Sequence, residues 1–180
     1  RLHLPEDVAE ARRLLAAAGF PGGAGFPRLE IASWTNLPVL EAIQAMWKKQ
    51  LGIDVALGTR DARVLLSDLR AARYDLGLVA AIPDVADAAD LLKDFQTDAP
   101  ANYAHWSDPR YDALLARAAH TPESARRQAV LADAEARLTE ECPVIPLYFN
   151  VHNFLVRPGV RHWQEDALWT RFYKDVTLEE

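Results

Sequence analysis

The chain has 180 residues, half of them hydrophobic and 26% charged, which is the balance of a globular protein with a packed core. Its formal net charge is −6, from 20 Lys and Arg against 26 Asp and Glu, and no stretch combines clustered basic residues with aromatic ones. We therefore set nucleic acid aside as a partner. No apolar run approaches the ~20 residues of a membrane-spanning helix, and the single cysteine, Cys142, excludes a disulfide within the chain.

The beginning of the chain leads directly into a predicted helix. Arg1 to Pro5 contain neither an initiator Met nor a signal segment, so we expect the sequence to begin inside a longer protein. Apolar residues at three- and four-residue spacing then predict a helix from Pro5, which suits a first turn, to Gly19, which suits a helix end. A turn rich in Gly and Pro follows.

Strands and helices alternate from that turn to residue 81. Alternating apolar residues predict strands, and the unbroken apolar run at the end predicts a strand that is covered on both faces in the middle of a sheet. The predicted elements are a strand on Leu29, Ile31 and Ser33; a helix from Pro38 to Leu51 that Asn36 caps and Gly52 ends; a strand on Ile53, Val55 and Leu57; a helix that Asp61 opens; and a strand from Leu76 to Ala81. This order implies two right-handed crossovers, and therefore an α/β fold with a parallel βαβαβ core.

The second half of the chain does not continue this alternation of strands and helices. Asp84 to Phe95 predicts a short helix after a loop, Gln96 to Trp106 is irregular, and Asp108 and Thr121 each open a further helix. Beyond Pro143, two apolar and β-prone segments interrupted by prolines lead into an aromatic tail. These segments are Val144 to Phe149 and Val151 to Val156. We expect the tail to pack against something else.

The motifs with a fixed mechanistic spacing do not occur in the sequence. There is no Walker loop, dinucleotide glycine pattern, nucleophile elbow or H-E-x-x-H pair. The glycines Gly22, Gly23 and Gly25 lie between a helix end and a strand start, which indicates a turn and not a phosphate cradle. The five histidines share no ligand spacing, so we expect no metal site and no cofactor. Cys142, among apolar residues, is interpreted as a small core residue.

Four aspartates lie just beyond the end of the apolar strand at Ala81. Asp84, Asp87, Asp90 and Asp94 fall on one helical stripe, at the edge where open α/β sheets bind ligands. We interpret the last three as the solvated face of an amphipathic helix. Asp84, after Pro83 in the loop, has two readings of equal weight. It presents a carboxylate to the ammonium group of a ligand, or it caps the helix.

Five segments in order resemble the bacterial extracellular solute-binding proteins of family 5, the peptide, dipeptide and nickel group. They are Ala18 to Pro21 with Gly25 to Pro27, Ala42 to Val55, Tyr74 to Leu76, Asn102 to Asp112, and Cys142 to Tyr148. The resemblance implies a type II periplasmic-binding-protein fold, in which two α/β lobes close on a solute by hinge motion. It also implies that the protein is no enzyme and hands its solute to an ABC permease in the inner membrane.

The resemblance implies further how this chain is divided. Residues 1–143 are similar to the second, C-terminal lobe, with a mixed sheet and additional helices around the parallel core. Residues 144–180 are similar to the segment that crosses back to the first lobe, which would be missing from this chain. The implied location is periplasmic or extracellular, at the face of the cytoplasmic membrane.

In the peptide-binding members an aspartate in the loop after the Tyr-Asp strand pairs with the ligand's α-ammonium group. Counted from Tyr74 and Asp75, that aspartate is Asp84. The family's usual Gly-Trp before it is replaced by Ala80 and Ala81, and loss of the Trp wall favours a larger or different ligand, so "solute" is better supported than "peptide". Backbone groups of this segment are the other expected contacts, since a bound peptide needs main-chain partners. The expected ligand-binding residues are Ala80, Ala81, Ile82, Pro83 and Asp84.

Two other functions stay open at this point. One is a sensory or regulatory module that uses the same fold to report a ligand to a partner protein. The other is a hydrolase with Asp84 and Asp87 as its carboxylate pair. This second function is disfavoured, because two aspartates three residues apart on one helix point the same way and do not flank a substrate.

Overall fold

A computed structural model describes residues 7–35, 37–149, 151, 153–166 and 168–179. The chain divides into two compact units, Arg1–Ala80 and Ala81–Glu180. None of the described helices is long and apolar enough to cross a bilayer.

The first unit is a parallel α/β structure. Its elements in chain order are α1 (Val8–Ala17), β1 (Leu29–Ser33), α2 (Pro38–Leu51), β2 (Val55–Thr59), α3 (Ala62–Arg70) and β3 (Leu76–Gly77). The three strands form one sheet in the order β2-β1-β3, and both pairings are parallel. The predicted βαβαβ core is therefore confirmed.

Local signals explain where these helices begin and end. Asp7 and Asp61 cap α1 and α3, and each accepts a hydrogen bond from a backbone N–H of its helix at 2.8 Å. Gly52 ends α2 in the left-handed conformation, with φ of 72°. The predicted cap of α2, Asn36, lies outside the described residues. Leu37 occupies the N-cap position and its side chain makes no capping bond.

The two faces of this sheet are packed differently. On one face Ile31, Val55 and Leu40 are buried in a core to which α1 and α2 contribute. On the other face small residues lie side by side across the three strands, Gly58 beside Ala32 and Ala32 beside Gly77. A Cβ atom at Gly77 would lie 2.4 Å from Cδ2 of Leu69 in α3. Gly77 therefore lets α3 pack closely on the sheet.

The prediction of a covered central strand from Leu76 to Ala81 is wrong. β3 pairs only over Leu76–Gly77 and lies at the edge of the described sheet. One more backbone bond, from Leu78 N–H to the carbonyl of Ala32, continues the pairing at 2.9 Å. The physical reason is that β1 itself ends at Ser33, so the following residues have no strand to pair with, and Val79 is 45% exposed.

The second unit is built on a pair of helices. Its elements are α4 (Ala88–Leu92), which continues into a 3-10 turn at Lys93–Phe95, then α5 (Pro109–Ala119) and α6 (Ser124–Glu141). α4, α5 and α6 share one apolar core, in which Tyr111, Leu131 and Ala134 are almost fully buried. The Tyr111 hydroxyl donates to the carbonyl of Leu92 at 2.6 Å, and burial raises the pKa of this phenol, so the group stays a donor.

The tail after α6 is mostly irregular. Two short strands, β4 (Val160–Arg161) and β5 (Thr177–Leu178), pair in antiparallel fashion. The described parts of the two β-prone segments, Val144 to Phe149 and Val151 to Val156, form no strand. Cys142 ends α6 with φ of 52° and is exposed, so its interpretation as a core residue is wrong. A helix-ending residue in the left-handed conformation turns its side chain out of the helical stripe that packs on α5.

Candidate functional site

The segment after β3 contains the predicted ligand contacts. Ala80 ends the first unit, and Ala81, Ile82, Pro83 and Asp84 begin the second. Ala80, Ala81 and Ile82 are exposed, Ile82 to 62%, and Pro83 is partly buried. Within the described residues, the backbone N–H groups of Ala80, Ala81 and Ile82 donate to no protein acceptor. They are therefore free to bond to water or to a ligand's main chain.

Asp84 is exposed and lies in this loop, not in a helix. Within the part of the chain that the structure describes, its carboxylate accepts no hydrogen bond and forms no ion pair, whereas its backbone N–H donates to Oδ2 of Asp90 at 2.6 Å. The alternative reading of Asp84 as a helix cap is wrong, because Asp87 caps α4 and accepts a bond from the N–H of Ala89 at 2.8 Å.

Asp87 and Asp90 do more than solvate a helix face, so that interpretation is wrong for both. Asp87 forms a two-bond ion pair with Arg127 of α6, at 2.8 and 3.0 Å, and the Arg127 hydrogen bond lowers the pKa of Asp87. Asp90 pairs with Lys93, which lowers the pKa of Asp90, and accepts backbone bonds from the loop.

Asp94 differs from Asp87 and Asp90, since burial raises the pKa of its carboxyl. Lys93 acts in the opposite direction, and the carboxylates of Asp90 and Asp84 add to the increase. The loop and the first turns of α4 contain two carboxylates in ion pairs, those of Asp87 and Asp90. Asp84 forms no ion pair among the described residues, although its charge helps to raise the pKa of Lys93.

The geometry also bears on the hydrolase hypothesis. Asp87 is held as an ionised carboxylate by Arg127, which makes it a poor proton donor. Its oxygens are occupied by that guanidinium and by the start of α4. Asp87 is therefore unsuited to the acid role in the carboxylate pair of a glycosidase. No cluster of three metal-ligating side chains occurs among the described residues.

Trp34 is a candidate that the sequence analysis missed. It directly follows β1, the middle strand, at the carboxyl edge of the sheet, and it is 40% exposed. The two residues before Trp34 are held at this edge by backbone bonds, from Arg60 to the carbonyl of Ser33 and from Leu78 to that of Ala32, each 2.9 Å. The available signal was a large aromatic residue at the carboxyl end of a predicted parallel strand, which is where such sheets bind ligands.

Comparison with known proteins decides the family. The family model described as "Bacterial extracellular solute-binding proteins, family 5 Middle" matches residues 2–103. The chain belongs to family 5. The family description is of extracellular solute binding and names no reaction.

Individual relatives agree with this family assignment. The dipeptide-binding protein DppE of Bacillus subtilis is 34% identical over 69% of this chain, which corresponds to 24% of DppE. The solved structure of the Escherichia coli murein tripeptide binding protein MppA matches with a TM-score of 0.80 and 26% identity over 87% of this chain and 31% of MppA. Listeria monocytogenes OppA bound to peptide gives 0.80 and 26% over 99% of this chain and 35% of OppA.

The family 5 neighbours confirm the predicted fold class, an α/β lobe of the type II periplasmic binding proteins. The chain spans about a quarter to a third of the length of the relatives that it matches. The similarity extends beyond the region of the family model into the helices and tail of the second unit, since the Listeria protein covers 99% of the chain.

Proposed function

We propose that this chain is the second lobe of the solute-binding component of an ABC importer, and that the whole protein captures a peptide or related small solute outside the cytoplasmic membrane. The observation that carries the proposal is the free carboxylate of Asp84 beside the unpaired N–H groups of residues 80–82, in a chain of family 5. A permease in the inner membrane would take up the solute. No catalytic residue and no cofactor are part of the proposal.

The ligand chemistry follows from these two groups. A carboxylate that is not already neutralised forms a strong charge-assisted bond with an ammonium group. Main-chain N–H groups of an extended segment pair with carbonyl groups of a ligand in extended conformation. Asp84 with Ala80, Ala81, Ile82 and Pro83 is therefore suited to the amino-terminal end of a peptide or to another amine that carries carbonyl groups.

We propose further that Trp34, in the first unit, offers an aromatic face to apolar groups of a solute. The family resemblance implies Trp where this chain has Ala81, and Ala81 supplies no aromatic contact. Trp34 lies at the carboxyl edge of the central strand and is exposed, and an aromatic face there contributes contact area at small entropic cost.

We propose that residues 144–180 are a crossover segment that packs on a first lobe, and that 1–143 form the ligand-binding lobe. The support is the exposed apolar surface of the tail, which includes the nearly bare side chains of Phe149 and Leu155. Large apolar side chains exposed close together in the sequence are typical of an interaction site.

The test of the ligand proposal uses the full-length protein and a mixture of tripeptides of random sequence. After incubation and gel filtration, retained peptides are identified by mass spectrometry. We expect Asp84→Ala to weaken the binding of tripeptides with a free amino terminus by roughly tenfold to a hundredfold, the value of one charged hydrogen bond. N-acetylated tripeptides should bind weakly to both proteins. The matched control is Asp133→Ala, an exposed aspartate on α6.

Two results would contradict this proposal. Unchanged retention of free tripeptides by Asp84→Ala would remove Asp84 from the site. Retention of neither free nor acetylated tripeptides by the unmodified protein would remove peptides as ligands.

The same assay tests Trp34. We expect Trp34→Ala to lower retention of tripeptides with aromatic or large apolar side chains by about fivefold to tenfold, because one aromatic contact contributes ~1 kcal/mol beyond the buried area. Tripeptides with small side chains should be retained as before. Met46→Ala, which alters an exposed apolar residue of α2, serves as the control. An unchanged composition of the retained peptides would show that Trp34 does not contact the solute.

A further inference from the structure

The loop that carries Asp84 is held by one carboxylate of the following helix. Oδ2 of Asp90 accepts two successive backbone N–H groups of the loop, from Asp84 at 2.6 Å and from Val85 at 3.2 Å. Asp90 lies in the first turn of α4, so these bonds run backward out of the helix. Val85 and Ile82 are exposed, and apolar packing therefore does little to fix the loop.

The second oxygen of Asp90 is used as well. Oδ1 pairs with the ammonium group of Lys93, one turn further along. The Asp90 side chain is only 10% exposed. Because both oxygens are bound, from the loop on one side and from Lys93 on the other, the carboxylate has little freedom to rotate, and the two N–H groups of the loop share a fixed acceptor.

The bonds of Asp90 serve the loop and not the start of the helix. The N-cap of α4 is Asp87, which already accepts the N–H of Ala89. Asp87 is itself tied to Arg127 of α6. The loop is thus attached at its middle by Asp90 and at its end by Asp87, while the carboxylate of Asp84, between the exposed Ile82 and Val85, is left free.

We propose that Asp90 is a positioning residue for ligand binding, which fixes the backbone of Asp84 and Val85 so that the Asp84 carboxylate is already directed at the solute before binding. Lys93 holds Asp90 in place for this task. The inference rests on the proposed function of Asp84. Its physical reason is that a loop ordered in advance loses less conformational entropy when a ligand binds.

The experiment compares Asp90→Ala and Asp90→Asn in the full-length protein. Hydrogen exchange with fragmentation to single residues is measured for the amides of Asp84 and Val85, and binding is measured with the free and acetylated tripeptide mixtures. We expect Asp90→Ala to raise exchange at these two amides at least tenfold and to weaken retention of free tripeptides about tenfold. Asp90→Asn keeps an acceptor oxygen and should recover part of both effects.

Two comparisons distinguish a positioning role of Asp90 from a general effect of the substitution on stability. In the Asp84→Ala background, Asp90→Ala should cause no further loss of binding, because Asp90 acts through Asp84. Asp108→Ala, which removes the cap of α5, should lower the melting temperature without changing exchange at Asp84 and Val85. Equal losses in both backgrounds would overturn the proposal.

The failure of this inference is distinct from that of the proposed function. If the unmodified protein retains tripeptides and Asp90→Ala retains them equally well, Asp90 has no positioning role. Slow exchange at both amides in Asp90→Ala would overturn it too. If the unmodified protein retains no amine-containing peptide, the proposed function itself is wrong.

Discussion

Large apolar side chains are buried in the pair formed by α5 and α6, whereas several of them are exposed in the tail that follows. In the helix pair Tyr111 is 0% exposed and Leu131 2%. In the tail Phe149 is 87% exposed, and Leu155 is as accessible as in an extended chain. Both regions belong to the same compact unit, so the difference does not arise from a division between units.

This difference separates two kinds of apolar residue. The apolar side chains of the helix pair pack with those of α4 in one core within the chain. In the tail Trp163 contacts Phe154 and Tyr173. Phe149 and Leu155 stay exposed, and exposed large apolar residues of this kind are typical of an interface. The stability of the helix pair should therefore be a property of this chain, whereas the contribution of the tail should depend on the proposed first lobe.

The largest expected effect is in the core of the helix pair. We expect Leu131→Ala to lower the free energy of unfolding of the full-length protein by about 2–5 kcal/mol, because the substitution leaves a cavity that its neighbours fill only in part. Urea unfolding followed by circular dichroism measures the change. A loss below ~1 kcal/mol would mean that the core is looser than the structure indicates.

A smaller effect is expected in the tail, and it tests the other half of the comparison. We expect Leu155→Ala to destabilise the full-length protein by about 1–3 kcal/mol, the value of burying one large apolar side chain in the proposed contact. Leu14→Ala, at an exposed residue of α1, is the matched control and should have almost no effect. If both variants unfold at the same urea concentration as the unmodified protein, the tail does not pack on a first lobe.

Much of the fold follows from local patterns in the sequence. The bounds of α2 agree with prediction because Pro38 suits a first turn and Gly52 adopts the left-handed conformation that ends a helix. The sequence also predicts the order of strands and helices. It does not predict the extent of β3, because a strand ends where its partner ends. Nothing in the sequence of residues 78–81 indicates that β1 ends at Ser33.

The candidate site was readable only in part. Asp84 stands out because it follows a parallel strand and lies where the family resemblance implies a ligand-binding aspartate, although its role is still a proposal. The bonds of Asp90 to the loop were not readable, since spacings of five and six residues have no meaning on a regular helix. Arg127 and Asp87 are 40 residues apart, and no periodic pattern connects them.

The smallest expected effect is the dependence of the helix pair on pH, since it involves an ion pair and not the apolar core. Asp108 caps α5 with two backbone bonds and pairs with Arg137 of α6 at 2.6 Å. Burial acts to raise the pKa of Asp108, but the bonds from Arg137 and from the helix N–H groups outweigh it, and the pKa is lowered. The carboxyl is therefore more acidic in the folded state than in the unfolded one, where its pKa is about 3.9.

The sign of the effect follows from this difference. A carboxyl with a lowered folded pKa contributes stability at pH values above its unfolded pKa, and the contribution is lost as the pH falls through the folded pKa. We expect the urea midpoint to be flat from about pH 7 to 5 and to fall below about pH 4. Asp108→Asn should start from a lower midpoint and fall less steeply on acidification, because it lacks one of the titrating groups. Parallel pH profiles for the two proteins would show that the Asp108 ion pair contributes nothing to the stability of the helix pair.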